Sequence, residues 1–296
     1  MEKALNKEAK MQEYILKNPD SFNLEHIFEC GQCFRWNKQE NGSYTGIFKD
    51  NVLNVKQKGK DFVFKGICNG NIQEIIEEYF DLNRNYEEMK KRLSKIDESM
   101  ATSIEYGEGI RLLNQDLWET IISFIISANN NIPRIKGIIE RLSAKYGKEI
   151  IFEGKSYYTF PTPFELSEVT VEDYRKLGLG FRDIRLYETV HMVLDGKIVL
   201  EKMSAEKNTI KVREKLLTLS GVGPKVADCI LLFSTLKRLE VFPIDVWVRR
   251  VMNELYIKNA DENKVNKKEI EKIANEKFGN LAGIAQQYLF YWKREA

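Results

Sequence analysis

The stretch LSGVGPKVADC, residues 219–229, puts two glycines and a proline into a short turn between two helical patterns. Gly221 and Gly223 carry no β-carbon, so the backbone there can adopt a positive φ and approach a partner closely. Lys225 follows at the mouth of the next helix, and Cys229 comes four residues later on the same helical face. A turn needs its glycines and proline but neither the lysine nor the cysteine, so this stretch predicts a function in addition to a change of direction.

The two flanking helical patterns and the L-x-G-V-G turn predict a helical hairpin over about residues 208–236. The backbone N–H groups of Gly221, Val222 and Gly223 would point outward at the start of the second helix, where a phosphate binds well. Such a hairpin can hold a DNA backbone without reading its sequence. Because glycine-rich turns between helices are often only turns, the pattern alone leaves a purely structural role equally open.

Lys225 lies in the first turn of its helix, where the positive end of the helix dipole disfavours an ammonium group. We therefore expect its pKa to be lowered, which would give a neutral amine that can attack carbon. An ordinary solvated surface lysine is the alternative interpretation.

Asp245 stands in VFPIDVWVRRV, directly before another helical pattern. Aspartate is among the best N-cap residues, and a cap is the simpler explanation for it. A carboxylate that is held still in this way can also stabilise a positive charge developing beside it. The two roles are compatible, so Asp245 is a candidate catalytic residue together with Lys225.

The composition is that of a globular protein large enough for more than one domain, with 296 residues, 43% hydrophobic and 30% charged. No segment approaches the roughly 18 consecutive apolar residues of a membrane span. The charged start MEKALNKEAKMQEY lacks the apolar centre of a signal peptide, so we expect a cytoplasmic protein with no membrane partner. The net charge is only +2, so any basic surface for nucleic acid must be local.

Four cysteines are present, at Cys30, Cys33, Cys68 and Cys229. The spacing of Cys30 and Cys33 can indicate zinc or redox chemistry. No second pair with this spacing follows, and His26 and His191 do not have the spacing of metal ligands. The four-cysteine spacing of an iron–sulfur site is also absent from the sequence. We expect small buried strand residues here, with no metal, no cofactor and no disulfide.

The secondary-structure patterns predict an α+β fold. Residues 30–67 have the short apolar runs of antiparallel strands. The apolar period becomes helical from Ile72, and after about residue 100 nearly the whole chain is expected to be helical. We therefore expect a small antiparallel β-sheet domain at residues 1–99 and a mainly α-helical domain at 100–296. Three turn pairs separate the strands: Asn41-Gly42, Asp50-Asn51 and Gly59-Lys60.

Two of the later helices have well-marked ends. Asp116 and Glu119 form a D-x-x-E capping pattern ahead of the apolar segment LWETIISFIISA, which is expected to be a buried helix. Asn131 is expected to cap the next helix and Gly147 to end it.

LSGVGPKVADC and VFPIDVWVRRV together resemble the helix-hairpin-helix, Gly-Pro-Asp superfamily of base-excision DNA glycosylases. Six segments, in family order along nearly the whole chain, resemble the 8-oxoguanine DNA glycosylases within it. They are GQCFRW at 31–36, YFDLNRNY at 79–86, SANNNIPRI at 127–135, KLGLGFR at 176–182, KVADC at 225–229 and AQQYLF at 285–290. This resemblance implies an enzyme that acts on double-stranded DNA containing oxidised guanine, and we expect it to work as a monomer.

Such an enzyme flips the damaged nucleotide into a pocket, because the bond that it breaks is inaccessible within the base stack. The resemblance implies that Lys225 attacks the anomeric carbon of the sugar and expels the base. The Schiff base that results can then permit β-elimination of the strand. Asp245, by the same resemblance, supports the nucleophile and stabilises the oxocarbenium-like charge. The implied substrate is 8-oxoguanine, and formamidopyrimidine-guanine is expected as a second one.

The resemblance also implies the residues that recognise the base. The lesion carries a hydrogen on ring nitrogen 7, and Gly31 matches the residue whose carbonyl accepts from it. Cys229 and Phe290 match the two residues that sandwich the flipped base, and Gln286 matches the one that bonds its Watson–Crick edge. Asp228 also lies within the family motif, either as a pocket residue or as a local cap.

A second group matches the residues that act on the opposite strand. Asn129, Arg134 and Arg182 match those that hold the orphaned cytosine, whose donor and acceptors asparagine and arginine can satisfy together. Phe181 stands where many relatives carry a tyrosine wedge, and an apolar wedge still works sterically. Trp247 stands where a histidine is expected to contact the DNA backbone. These two departures predict weaker selectivity for cytosine opposite the lesion.

Three other functions compete with this one. A glycosylase for alkylated purines shares the architecture, but such enzymes generally lack the lysine and use water as the nucleophile. A non-catalytic DNA-binding protein would use only the hairpin, and it gives no reason for Lys225 and Asp245 to occur together. A small-molecule lyase with a Schiff-base lysine would be expected to carry a phosphate or cofactor motif, and the sequence has none.

Overall fold

The structure, a computed structural model, describes residues 10–261 and 265–295. Residues 1–9, most of the charged start discussed above, lie outside that part. No helix in the described part is long and apolar enough to cross a membrane.

The N-terminal region is a five-stranded antiparallel sheet in the order β1-β5-β4-β3-β2. The expected hairpins are present, because the turn pairs at 41–42 and 59–60 join neighbouring strands in register. The first strand was not expected from the charged start of the chain. It forms the edge of the sheet because its backbone pairs along β5, with Lys10 opposite Cys68. The strands are β1 Lys10–Leu16, β2 Trp36–Lys38, β3 Tyr44–Phe48, β4 Asn51–Lys58 and β5 Asp61–Cys68.

The expectation that strands begin at residue 30 was wrong. Residues 30–35 form an irregular segment, and the first strand after them starts at Trp36. Gly31 has a φ of +84°, which is left-handed and incompatible with a strand. The segment is nevertheless buried, and Cys30 and Cys33 are free thiols within it.

Helices fill most of the rest of the chain. In the described part they are α1 Leu24–Phe28, α2 Ile72–Tyr79, α3 Tyr86–Leu93, α4 Glu98–Tyr106, α5 Leu117–Ser127, α6 Ile132–Tyr146, α7 Val171–Lys176, α8 Asp183–Leu194, α9 Leu200–Ala205, α10 Thr209–Leu217, α11 Pro224–Phe233, α12 Val246–Met252, α13 Lys267–Phe278 and α14 Ala282–Glu295.

The predicted caps of α5 and α6 are confirmed. The Asp116 carboxylate accepts a hydrogen bond from the Glu119 amide at 2.9 Å, and Asn131 accepts one from the Arg134 amide at 3.0 Å. Gly147 ends α6 as expected. Each contact joins residues three positions apart, which is why the local sequence was sufficient to predict it.

One short hairpin interrupts the helices and was not anticipated. Strands β6 (Glu149–Phe152) and β7 (Lys155–Tyr158) pair in an antiparallel fashion. The turn between them consists of Glu153 and Gly154, both of which have positive φ values. Two such residues in succession are typical of the tight turns that match the twist of paired strands.

The buried residues form a large core among the helices and a smaller, separate core at the sheet. The expected domain boundary between residues 99 and 100 lies inside α4, and Met100 is fully buried there. The large helical core includes Cys30 and Phe34 from the irregular segment as well as Leu231 from α11. A segment from the N-terminal region is therefore packed against the helical region, where it can contribute to a site there.

Candidate active site

The hairpin formed by α10, the turn and α11 presents backbone rather than side chains. Gly221 has a φ of +83°, and a β-carbon added to it would lie 2.8 Å from Cδ of Arg185, so glycine is required there. A β-carbon on Gly223 would meet no protein atom within 4 Å, because this residue is exposed. Val222 between them is buried. The tip of the hairpin therefore offers amide groups that a partner can approach closely.

Behind the hairpin lies a small cavity of about 50 Å³, called the pocket below. Its walls come from the irregular segment, α5, α11, the start of α12 and α14. Six of the residues predicted from the sequence line it: Gly31, Lys225, Cys229, Asp245, Gln286 and Phe290. The fold thus brings together residues from opposite ends of the chain.

Lys225 is partly buried in the pocket, with its Nζ 5.6 Å from the centroid of the Phe124 ring. Its pKa is raised, because Cys229 and the Asp245 carboxylate favour the ammonium form more strongly than burial disfavours it. The expectation of a lowered pKa was therefore wrong. The fold places the Asp245 carboxylate and the Cys229 side chain beside the amine, and their interactions favour its protonated form.

Cys229 lies beside Lys225 and is 3% exposed. Burial raises the pKa of its thiol to about 11, although the neighbouring ammonium opposes the shift. At neutral pH the side chain is therefore a thiol next to a charged lysine. This leaves Cys229 as a compact, polarisable wall of the pocket.

Asp245 is the N-cap of α12, as predicted. Its carboxylate accepts a hydrogen bond from the amide of Val248 at 2.8 Å. That bond holds the carboxylate at the pocket wall and close enough to Lys225 to raise the pKa of the amine. The position fits the stabilisation of positive charge developing at an atom between the two groups.

Gln286 contributes an unpartnered acceptor to the pocket. The residue is 5% exposed, and its Oε1 has no hydrogen-bond partner within residues 10–261 and 265–295. A buried amide oxygen without a partner costs roughly 1–3 kcal/mol. Such a group is well placed to accept a hydrogen bond from a donor on a ligand.

Gly31 and Phe290 form the opposite wall. A β-carbon on Gly31 would lie 3.2 Å from Nη1 of Arg294 and 3.5 Å from Cε1 of Phe290. Both the positive φ and the crowding therefore require glycine.

Asp228 lies outside the pocket lining. Its carboxylate forms an ion pair with Arg213 through two bonds, 2.6 and 3.2 Å long. This pair ties α11 to α10. Burial raises the pKa of Asp228, with Arg213 opposing the shift. Of the two roles left open by the sequence, the structure favours a local structural one over recognition of a base.

A second cluster of predicted residues forms an exposed area, called the Phe181 surface below. It consists of Phe181, which is 54% exposed, together with the exposed side chains of Asn129 and Arg134. The Arg134 guanidinium donates to the Gly178 carbonyl at 3.2 Å. Arg185 lies 5.0 Å from the centroid of the Phe181 ring, so the aromatic tip stands among positive charges.

Arg182 differs from its neighbours because it is 1% exposed. Its guanidinium donates to the carbonyls of Ala128, Asn129 and Leu179. Burial lowers its pKa, and nearby Arg134 contributes to the shift. Arg182 thus braces the loop that carries Asn129. Most of its N–H donors already bond to these carbonyls, so they are not available for the predicted direct contact with an orphaned base.

Trp247 is 47% exposed at the start of α12, next to Asp245. Its ring lies 5.6 Å from the guanidinium carbon of Arg250. The side chain is on the surface beside the pocket rather than in it, which fits a contact with a partner's backbone.

Five further residues line the pocket that the sequence had not identified as site residues: Cys30, Phe124, Phe233, Pro243 and Gln287. Phe124 and Phe233 stack with their centroids 5.6 Å apart. Both belong to apolar helical patterns, in which nothing distinguishes a pocket residue from a core residue. Gln287 gave no signal beyond its position next to Gln286.

Comparison with known proteins shows the family of the chain. Residues 14–121 match the 8-oxoguanine DNA glycosylase, N-terminal domain, and residues 122–279 match the HhH-GPD superfamily base excision DNA repair proteins. A solved structure of the Clostridium acetobutylicum 8-oxoguanine glycosylase/lyase, in complex with double-stranded DNA containing cytosine opposite to 8-oxoguanine, is 44% identical. It has a TM-score of 0.90 and covers 97% of this chain and 98% of that chain.

Two curated relatives support the same family. The probable N-glycosylase/DNA lyase of Methanothermobacter thermautotrophicus is 32% identical over 76% of each chain. The N-glycosylase/DNA lyase of Saccharomyces cerevisiae is 30% identical over 92% of this chain and 84% of the relative. Fold, pocket and relatives coincide: the chain belongs to the 8-oxoguanine DNA glycosylase/lyases of the HhH-GPD superfamily of base excision DNA repair proteins.

Proposed function

We propose that this protein excises 8-oxoguanine from duplex DNA and then cleaves the strand at the abasic site. One observation carries the proposal: the pocket joins an amine, a fixed carboxylate and an unpartnered amide oxygen within a single buried space. The amine and carboxylate supply the chemistry, and the amide oxygen supplies recognition. Because its substrate is DNA, the enzyme works in the compartment that holds the DNA, which we take to be the cytoplasm.

The reaction begins with deprotonation of Lys225, since its raised pKa keeps the resting amine charged. The Nζ lone pair attacks the anomeric carbon, and the glycosidic electron pair leaves with the base, which takes up a proton. Asp245 stabilises the positive charge that develops on the sugar. The sugar ring then opens to give a Schiff base with Lys225. Loss of a proton from the adjacent carbon expels the 3′ phosphate and cleaves the strand.

Recognition uses the other walls of the pocket. The Gly31 carbonyl accepts from ring nitrogen 7 of the lesion, which is a donor in 8-oxoguanine and an acceptor in guanine. Gln286 Oε1 accepts from the Watson–Crick edge and thereby gains the partner that it lacks in the free protein. Cys229 and Phe290 enclose the faces of the base. Formamidopyrimidine-guanine presents a similar edge and is a second substrate.

The Phe181 surface meets the opposite strand. Phe181 enters the gap left by the flipped nucleotide, and Asn129 and Arg134 contact the orphaned cytosine. Gly221 to Gly223 and Trp247 hold the phosphate backbone. Arg182 acts by fixing the Asn129 loop, because its own donors already bond to that loop.

A direct test uses an end-labelled duplex with one 8-oxoguanine placed opposite each of the four bases in turn. Protein and sodium borohydride are added, and a shifted covalent band is sought. A band that requires the lesion shows Schiff-base chemistry at that site. Base release without a band would instead indicate a water nucleophile, as in glycosylases for alkylated purines. If neither a covalent band nor base release is seen, the protein binds DNA without this activity.

A further inference from the structure

The segment that carries Gly31 is held on both sides of that residue. Gln287 donates from Nε2 to the Cys30 carbonyl at 2.5 Å. Gln115 donates from Nε2 to the Gln32 carbonyl at 2.7 Å. Within residues 10–261 and 265–295, no hydrogen bond to the Gly31 carbonyl between them is present. The two flanking carbonyls are therefore fixed, and Gly31 between them lines the pocket.

The anchors come from distant parts of the chain. Gln287 is 1% exposed on α14, and 257 positions separate it from Cys30. Gln115 precedes α5, and its amide also donates to the carbonyl of Phe233 at the end of α11. The Gly31 segment is thus tied to the same helices that carry the pocket residues.

A third anchor lies at the edge of the pocket. Arg294 donates to the Glu29 carbonyl, and its guanidinium carbon lies 5.1 Å from the centroid of the Phe290 ring. It packs close to Gly31 as well. Because Arg294 contacts a base-stacking residue, its substitution would change several things at once. Gln287 and Gln115 allow a cleaner test.

The orientation of one peptide group decides what the pocket accepts. The peptide between Gly31 and Gln32 carries the reading carbonyl on one side and the Gln32 N–H on the other. A half-turn of this peptide would present the N–H, which complements the acceptor at ring nitrogen 7 of ordinary guanine. Glycine has no β-carbon to oppose such a rotation. Discrimination therefore requires that the neighbouring peptides be held still.

We propose that Gln287 is a positioning residue for lesion recognition, and that Gln115 serves the same purpose from the other side. By fixing the Cys30 and Gln32 carbonyls, they keep the Gly31 carbonyl, and not the Gln32 N–H, directed at the base. The two residues thereby disfavour the binding of ordinary guanine. The bonds by which they do so are made to the backbone and not to the lesion. This inference rests on the proposed excision of 8-oxoguanine.

The test separates recognition from chemistry. In a Lys225→Gln background, which blocks covalent capture, equilibrium binding is measured to duplexes with 8-oxoguanine or guanine opposite cytosine. The ratio of the two dissociation constants is the discrimination. In the Lys225 protein, borohydride capture at a ready-made abasic site is measured in parallel, because that substrate has no base to read.

Gln287→Met removes the donor while keeping the length of the side chain. We expect it to lower the discrimination about tenfold, the size of one lost hydrogen bond, and to lower abasic capture by a smaller factor. Gln12→Met is the matched control, since Gln12 also donates to a backbone carbonyl, that of Gly70 at 2.8 Å, but lies on β1. It should change neither quantity.

Unchanged discrimination in Gln287→Met, with capture intact, would overturn the proposal. If Gln287→Met loses abasic capture as well, Gln115→Met decides. Lower discrimination with retained capture supports the proposal, and unchanged discrimination or a parallel loss of both overturns it. A protein with Gln287 and Gln115 intact that fails to distinguish 8-oxoguanine from guanine would instead contradict the proposed function itself.

Discussion

Cys229 and Gln286 in the pocket are 3% and 5% exposed, whereas Phe181 on the Phe181 surface is 54% exposed. Pocket residues are fixed by burial, a helix cap and bonds from distant helices. On the Phe181 surface, Asn129 and Arg134 are exposed. Arg182 braces the loop that carries Asn129, and Arg134 makes one hydrogen bond, to the Gly178 carbonyl. A group fixed in a buried site discriminates more sharply than a mobile group in water. We therefore expect the enzyme to be stricter about the lesion than about the base opposite it.

The largest expected effect is that of Lys225→Gln. Loss of the nucleophile should abolish borohydride capture and lower base excision by about a thousandfold or more, while binding to the lesion persists. The measurement is single-turnover excision with gel detection of the covalent band. Lys91→Gln, at an exposed lysine on α3, is the control. Persistent capture would mean that another amine is the nucleophile.

Asp245→Asn separates the two roles of that residue. Asparagine caps a helix about as well as aspartate, so thermal stability should be nearly unchanged. Loss of the charge should lower the excision rate about 100- to 1000-fold, as when one transition-state stabiliser is removed. Asp116→Asn, the same change at the cap of α5, should affect neither. If stability and activity fall together in Asp245→Asn, the cap rather than the charge matters.

Gln286→Leu tests whether the pocket keeps an unpartnered acceptor for its ligand. Excision of 8-oxoguanine should fall about 10- to 100-fold, because a buried hydrogen bond to the base is lost, and abasic capture should not change. The melting temperature should be maintained or rise, since a buried unpaired oxygen is removed. A lower melting temperature would show that the amide has a structural partner in solution.

Arg134→Met and Arg182→Met, at and beneath the Phe181 surface, should affect different properties of the protein. Arg134→Met should reduce the preference for cytosine about tenfold, the value of a good side-chain contact to a base, with little effect on stability. Arg182→Met removes the side-chain donors to the carbonyls of Ala128, Asn129 and Leu179, so the free energy of unfolding should fall by about 1–3 kcal/mol. Excision opposite each of the four bases and chemical denaturation report the two effects. Equal stability losses in both variants would contradict the distinction.

The smallest effect concerns pH. Because the raised pKa of Lys225 keeps the amine protonated, abasic capture should increase with pH as the reactive neutral form accumulates. Asp245→Asn removes the carboxylate that raises this pKa, so the rising part of the profile should move to lower pH. Capture is the proper readout, since it needs no base between Cys229 and Phe290. A shift to higher pH would contradict the assignment.

Local sequence was enough for much of the molecule. The hairpin, the cap of α5 by Asp116 and the cap of α12 by Asp245 follow from residues within four positions of one another. Short-range patterns of this kind are set by local backbone geometry. Most of the site residues came from the family resemblance rather than from the patterns alone. Six of them do meet in the pocket.

The tertiary structure decided the remainder. The raised pKa of Lys225, the burial of Arg182 and the pairing of Asp228 with Arg213 depend on groups that folding brings near. Gln287 fixes Cys30 from 257 positions away. Charge state and orientation depend on desolvation and on neighbours in space. By itself, the sequence determined which chemical groups the protein possesses and where its helices begin, and only the fold decided which groups are buried, charged and aimed at one another.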